Sequence, residues 1–117
     1  MKKTGLLILG ALAATNAYAF NPSYACVSND AKKTKVAIAT LDPEIVRTHQ
    51  DGAPDRYYYV TDSSDELLEA MILAHKSSAH LTPVAKGTMH LTLTKLDPNT
   101  VTASIKVGKL VTTFSCQ

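Results

Sequence analysis

Several kinds of chemistry are missing from this chain. It has no G-x-S-x-G turn, the strained elbow that presents a hydrolytic serine. Its histidines, His49, His75, His80 and His90, include no pair four residues apart, so the helix-borne zinc pair is excluded. Asp51, Asp55, Asp62 and Asp65 could be paired on paper as acid and base. Loops and a helix cap, where these four fall, are also where ordinary surface carboxylates sit, and Asp62 and Asp65 suit the positive end of a helix dipole. No catalytic residue, no metal and no cofactor are expected, and the chain is not expected to be an enzyme.

No later segment is apolar enough to span a membrane, which takes about 20 residues. The longest apolar run, Gly5 to Ala14, follows Lys2 and Lys3 and precedes Ala17-Tyr18-Ala19. That order is a secretory signal with its cleavage site, so residues 1–19 are expected to be removed and 20–117 to form a single domain of 117 − 19 = 98 residues. Lys2 and Lys3 leave with the signal. Lys plus Arg falls from 12 to 10 against 10 Asp plus Glu, so the net charge of +2 belongs to the precursor. Lys32, Lys33 and Lys35 are the one short basic patch left, read as a solvated turn, and no nucleic-acid partner is expected.

With two cysteines and no third, Cys26 and Cys116 are expected to form one disulfide in an oxidising compartment, periplasmic or secreted. In the chain-entropy account a loop this long contributes about 4–5 kcal/mol, comparable to the net stability of a small domain. Neither cysteine has a neighbouring base or electropositive niche that would make it a catalytic thiol. Bonding the two requires the first and last strands to be neighbours.

Hydrophobic periodicity gives an α+β, mostly β chain: a small twisted or barrelled antiparallel sheet with one packed helix. Residues 36–41 form a short strand stopped by Asp42-Pro43. Residues 42–56 carry two prolines and a glycine and read as a long loop with one helical turn at 44–48. Ser63 and Glu66 match a capping box, and Leu67, Leu68, Met71, Ile72 and His75 follow at helical spacing, predicting a helix over about 64–77. Afterwards the period is two. Leu81 to Lys86 is an edge strand because of Pro83. Met89, Leu91 and Leu93 mark a half-buried strand, and Val101, Ala103, Ile105 and Val107 another. Leu110, Thr112 and Phe114 lead to Cys116. The sequences LDPEIV at 41–46 and LDPNTV at 96–101 recur as turn chemistry and not as duplication.

There is no tryptophan, and three of the five tyrosines stand together at Tyr57, Tyr58 and Tyr59. In a strand Tyr57 and Tyr59 take one side and Tyr58 the other. One side can be core, where a tyrosine buries its ring while the hydroxyl finds a partner. An outward ring beside Asp55 and Arg56 can instead stack on a sugar or a protein partner. Asp55, Arg56, Tyr57, Tyr58 and Tyr59 are therefore the candidate binding residues.

The segment DELLEAMILAHKSS feeding into HLTPVA, with the closing KLVTTFSC, resembles the OB-fold binding subunits of pertussis-like AB5 toxins and similar small exported proteins. Leu67, Leu68, Met71 and Ala74 match the family's helix, Leu81 and Val84 its next strand, and 109–116 its closing strand. The resemblance covers about half of the chain after the signal, and Ser78-Ala79-His80 stands where a Gly-Lys turn is common. It implies an OB-fold-like, non-catalytic module that binds a glycan or protein partner and forms a ring-shaped homo-oligomer. A second class is a periplasmic inhibitor of an enzyme such as lysozyme, acting through the 42–56 loop. A third is a structural component of an envelope assembly.

Overall fold

The computed structural model describes residues 20–117; the segment read as an export signal lies outside them. Nine strands follow in order: β1 (Ser23–Ser28), β2 (Lys35–Asp42), β3 (Ile45–His49), β4 (Asp55–Ser63), β5 (Leu67–Ser77), β6 (His80–Pro83), β7 (Met89–Asp97), β8 (Thr100–Val107) and β9 (Leu110–Cys116). Eight close an antiparallel barrel in the order β1-β2-β3-β4-β5-β7-β8-β9, with β9 returning to β1. The ninth, β6, folds back on β5. It pairs opposite residues 74–77, while β7 pairs with β5 opposite residues 67–71. Closure leaves no long unpaired edge, and the short edge strand β6 carries Pro83, as the sequence predicts.

The mostly β, barrelled architecture is as expected, but the packed helix over 64–77 is not there. That segment is the 11-residue strand β5. Leu68, Ala70 and Ile72 point into the core, and Glu69 and Leu73 point out. The segment is apolar at so many positions that it satisfies a helical and a strand period at once. What decides is β4 on one side and β7 on the other, which pair its backbone groups in ladders. The expected capping serine, Ser63, ends β4 opposite Leu68, and the turn is made by its neighbour. The Ser64 hydroxyl accepts from the backbone N–H groups of Leu67 at 3.2 Å and Glu66 at 3.4 Å, and Ser64 N–H donates to the Leu67 carbonyl at 2.7 Å. Serine serves a tight turn as readily as a helix start, and here it closes the β4–β5 hairpin.

The long loop expected over 42–56 also shrinks. Residues 45–49 are strand β3 and not a helical turn, which leaves only 50–54 as the β3–β4 loop. Asp42 Oδ1 accepts from the N–H groups of Glu44 at 2.7 Å and Ile45 at 3.0 Å, so the chain reverses at once. The second Asp-Pro turn repeats this chemistry. Asp97 Oδ1 accepts from Asn99 N–H at 2.8 Å and Oδ2 from the Thr100 hydroxyl at 3.0 Å. In both hairpins the register slips just before the turn, between Thr40 and Asp42 and between Lys95 and Asp97.

Tyr58, Ile38, Ile72, Leu91, Leu93 and Val46 fill the barrel interior, each less than 2% exposed. An eight-stranded barrel is just wide enough for side chains to fill. Cys26 and Cys116 face each other across the β1–β9 seam, both buried, and form the expected disulfide. Ala25 and Gln117 exchange backbone bonds of 3.0 and 2.9 Å, so the adjacent cysteine pair occupies the non-hydrogen-bonded position, where opposed side chains are closest.

Candidate functional site

Alternation in β4 splits the five candidate residues between two sides of the barrel wall. Tyr58 is completely buried, its hydroxyl 3.6 Å from Met89 Sδ. Burial pushes its phenol above the ordinary value, while the Thr48 hydrogen bond and the Arg56 charge pull the other way. Arg56 shares the parity of Tyr58 and pairs with buried Thr48. Tyr57, Tyr59 and Asp55 lie on the outer face. Tyr59 donates its hydroxyl to Met71 Sδ at 3.2 Å across the β4–β5 ladder, which ties that ring to its neighbour.

Tyr57 stands at the junction of two outer grooves. One, of ≈ 580 Å³, runs between the 50–54 loop and the β5–β6 turn and includes Arg47, Asp55, Lys76 and Ser78. The other, of ≈ 550 Å³, runs toward β6 and is mainly aliphatic, with Ile45, Leu73, Leu81 and Pro83. Tyr57 and Lys76 border both. A bulge shapes this surface: the register slips between Tyr57 and Tyr58, so Tyr57 faces Ala74 and Leu73 is left over. Ala74 is buried beside Tyr57, Leu81 and Pro83, outside the core cluster. Leu73 and Leu81 stay 45% and 60% exposed, an unusual pair of large aliphatics beside an outward tyrosine.

The charges around Tyr57 are arranged unevenly. Register sets Arg47 directly opposite Tyr57 and Lys76 opposite Asp55. Asp55 Oδ1 lies 2.6 Å from His49 Nδ1, and Asp51 Oδ1 lies 3.2 Å from His49 Nε2. Neither Arg47 nor Lys76 has an acidic partner among the described residues. The same contacts, Asp55 first and Asp51 second, hold the His49 imidazolium above its ordinary range. They brace the β3–β4 loop, which turns through Gly52 at φ 83° and the bond from Ala53 N–H to the Gln50 carbonyl at 3.1 Å.

Of the residues read from sequence, Asp55 and Tyr57 border the grooves. Arg47, Leu73, Lys76 and Leu81 escaped that reading. A segment taken for a helix gives no cross-strand partner, so nothing along the chain placed Lys76 or Leu73 next to Tyr57. Among the described residues no three of His, Cys, Asp and Glu converge in a metal-binding arrangement, and no helix is long and apolar enough to cross a membrane.

Comparisons with family models, with curated proteins and with solved structures find no match to this chain. The resemblance to the toxin binding subunits therefore holds only as the coarse statement, a small antiparallel barrel. The helix that carried it is strand β5, and the eight staves run as an up-and-down meander, whereas an OB-fold is a five-stranded Greek key.

Proposed function

We propose that this protein is an exported, non-catalytic binding module that takes its ligand on the outer face of β3, β4, β5 and β6, around Tyr57. The observation that carries this reading is the contrast between a filled interior and a grooved exterior. With the barrel packed solid, a ligand has to bind outside. The outer face offers an outward tyrosine and Arg47, residue types that interface hot spots favour, beside exposed leucines and Lys76, with neither cation holding an acidic partner among the described residues.

A protein partner suits this surface better than a glycan. A sugar ring stacks on aromatic faces, and Tyr57 supplies one beside the polar Arg47, Asp55 and Lys76. The groove then continues through Ile45, Leu73, Leu81 and Pro83, aliphatic surface that matches apolar side chains of a partner. A photo-crosslinking residue at Leu81, with the captured protein purified and its affinity remeasured against Tyr57→Ala, tests the protein reading. A glycan array probed with the wild type and the same variant tests the other. A toxin-like B subunit would in addition assemble into a ring, which light scattering on the purified protein detects.

Inhibition of an enzyme such as lysozyme is a second reading, favoured by Arg47 and Lys76. Cations that have no acidic partner among the described residues, beside a braced loop, fit a cleft lined with carboxylates, as glycosidase active sites are. An inhibition assay with Arg47→Ala and Lys76→Ala as controls tests it.

A further inference from the structure

The fold sorts charge along the barrel axis. Neighbouring staves alternate in direction, so every connection belongs to one end or the other. The loops at 29–34, 50–54, 84–88 and 108–109 and the turn at 78–79 share one end. The turns at 43–44, 64–66 and 98–99 share the opposite end.

At the first end Lys32, Lys33 and Lys35 surround the β1–β2 loop. Arg56, Lys76 and Lys86 add to them from β4, β5 and the loop before β7, and Lys106 and Lys109 flank the β8–β9 turn. The acids of that end are engaged locally. Asp30 Oδ1 accepts from the Ser28 hydroxyl at 2.8 Å and Lys32 N–H at 3.1 Å, and Asp51 and Asp55 hold His49. The other end carries Asp42, Glu44, Asp62, Asp65, Glu66 and Asp97, with Lys95 its one basic side chain among the described residues. A chain whose charges cancel after residue 19 thus separates them along the barrel axis.

The basic end also carries a greasy tip. Val107 and Leu110 pair across the β8–β9 turn, and Val107, Leu110 and Val111 are 46%, 69% and 51% exposed. Gly108, at φ 61°, makes the turn. Lys106 and Lys109 alternate with these aliphatics along the chain. On a solvated polyanion the aliphatic side chains would gain nothing. At a lipid surface they enter the boundary between headgroups and acyl chains while the lysines meet the phosphates. The acidic end then points away from the negative surface.

We propose that the basic end docks on an anionic phospholipid surface, with Val107, Leu110 and Val111 inserted. The inserted tip at 106–111 shares no residue with the Tyr57 grooves, although Lys76 and the 50–54 loop of the same end border one of them, and membrane docking goes beyond the binding role proposed for Tyr57. The test is co-sedimentation of the full domain with vesicles of equal parts phosphatidylglycerol and phosphatidylcholine, beside vesicles of phosphatidylcholine alone. Binding is expected to the anionic vesicles only and to fall as salt rises. Lys106→Gln and Lys109→Gln should each weaken it about fivefold, because a lysine near such a surface contributes about 1 kcal/mol. Leu110→Ser should weaken it with every charge intact, Glu44→Gln at the far end should not, and Tyr57→Ala should leave it unchanged. All of these side chains except Tyr57 are well exposed, so the variants should keep the wild-type melting temperature. Absence of binding, equal binding to both vesicles, or undiminished binding by folded Leu110→Ser and lysine variants would overturn the proposal. So would retention on a heparin column without vesicle binding, which would assign the pole to a soluble polyanion.

Discussion

Cys26 and Cys116 lie directly opposite each other on β1 and β9, with Cα atoms 4.1 Å apart and 90 residues between them in sequence. The bond locks the seam where the barrel's first and last staves meet, the one junction in the ring with no local hairpin to enforce it except the β5–β7 contact beside β6. Both cysteines should resist alkylation in native oxidised protein. In the double variant Cys26→Ala/Cys116→Ala the melting temperature should fall by roughly 16–40 °C, taking about 4–5 kcal/mol for the lost loop constraint and 4–8 °C per kcal/mol. A shift of a degree or two would mean that the seam holds without the staple.

Strand β5 makes a prediction that a helix would not. Leu68 is buried and its neighbour Glu69 exposed, so Leu68→Ala should cost about 2–5 kcal/mol while Glu69→Ala is nearly silent. The distinguishing residue is Met71, which helical spacing puts on the buried face with Ile72 and which the strand turns outward beside Tyr59. Ile72→Ala should therefore register strongly in denaturant unfolding and Met71→Ala much less. A far-UV circular dichroism spectrum of β type should accompany this result. Helical bands in that spectrum would contradict the barrel.

Much of the fold was legible in the sequence because period two survives wherever one face of a strand is buried and the other polar. Leu91 and Leu93 against Thr92 and Thr94 show it plainly, as do Val101, Ala103 and Ile105 against Thr102 and Ser104. The reading failed where that contrast vanishes. In β5 both faces are apolar, since Met71 and Leu73 look outward toward the tyrosines and β6, and Ser64 offers the same hydroxyl to a hairpin as to a helix. The axial charge separation was invisible for another reason: it depends on which ends of the strands share a pole, and net charge carries no trace of that. Lys32, Lys33 and Lys35 looked like an isolated patch because their companions lie tens of residues away.

His49 supplies a pH test. Its folded value is raised above the usual 6.5, with Asp55 the larger cause and Asp51 the smaller. A raised histidine stabilises the folded loop fully below its unfolded value, and that contribution is lost as pH rises through the folded value. The 50–54 loop should therefore be best ordered below the usual histidine value of 6.5 and loosen as pH rises through the raised folded value. NMR titration of the His49 ring should give a midpoint above 6.5, and Asp55→Asn should lower it. An unshifted midpoint in the wild type would show that the two carboxylates do not hold the ring in solution.

Tyr57 and Tyr58 test the central claim most directly, because adjacent residues of the same type are assigned opposite roles. Melting and ligand affinity would be measured side by side for Tyr57→Ala and Tyr58→Ala, using the crosslinked protein once purified or the glycan retained on the array. Tyr58→Ala should cost about 3–5 kcal/mol of stability, as truncation of a buried aromatic does. Tyr57→Ala should melt within a few degrees of the wild type and weaken binding by more than about 1 kcal/mol, the behaviour of a hot spot. If Tyr57→Ala binds as well as the wild type, or unfolds as Tyr58→Ala does, the outer groove is not the binding surface.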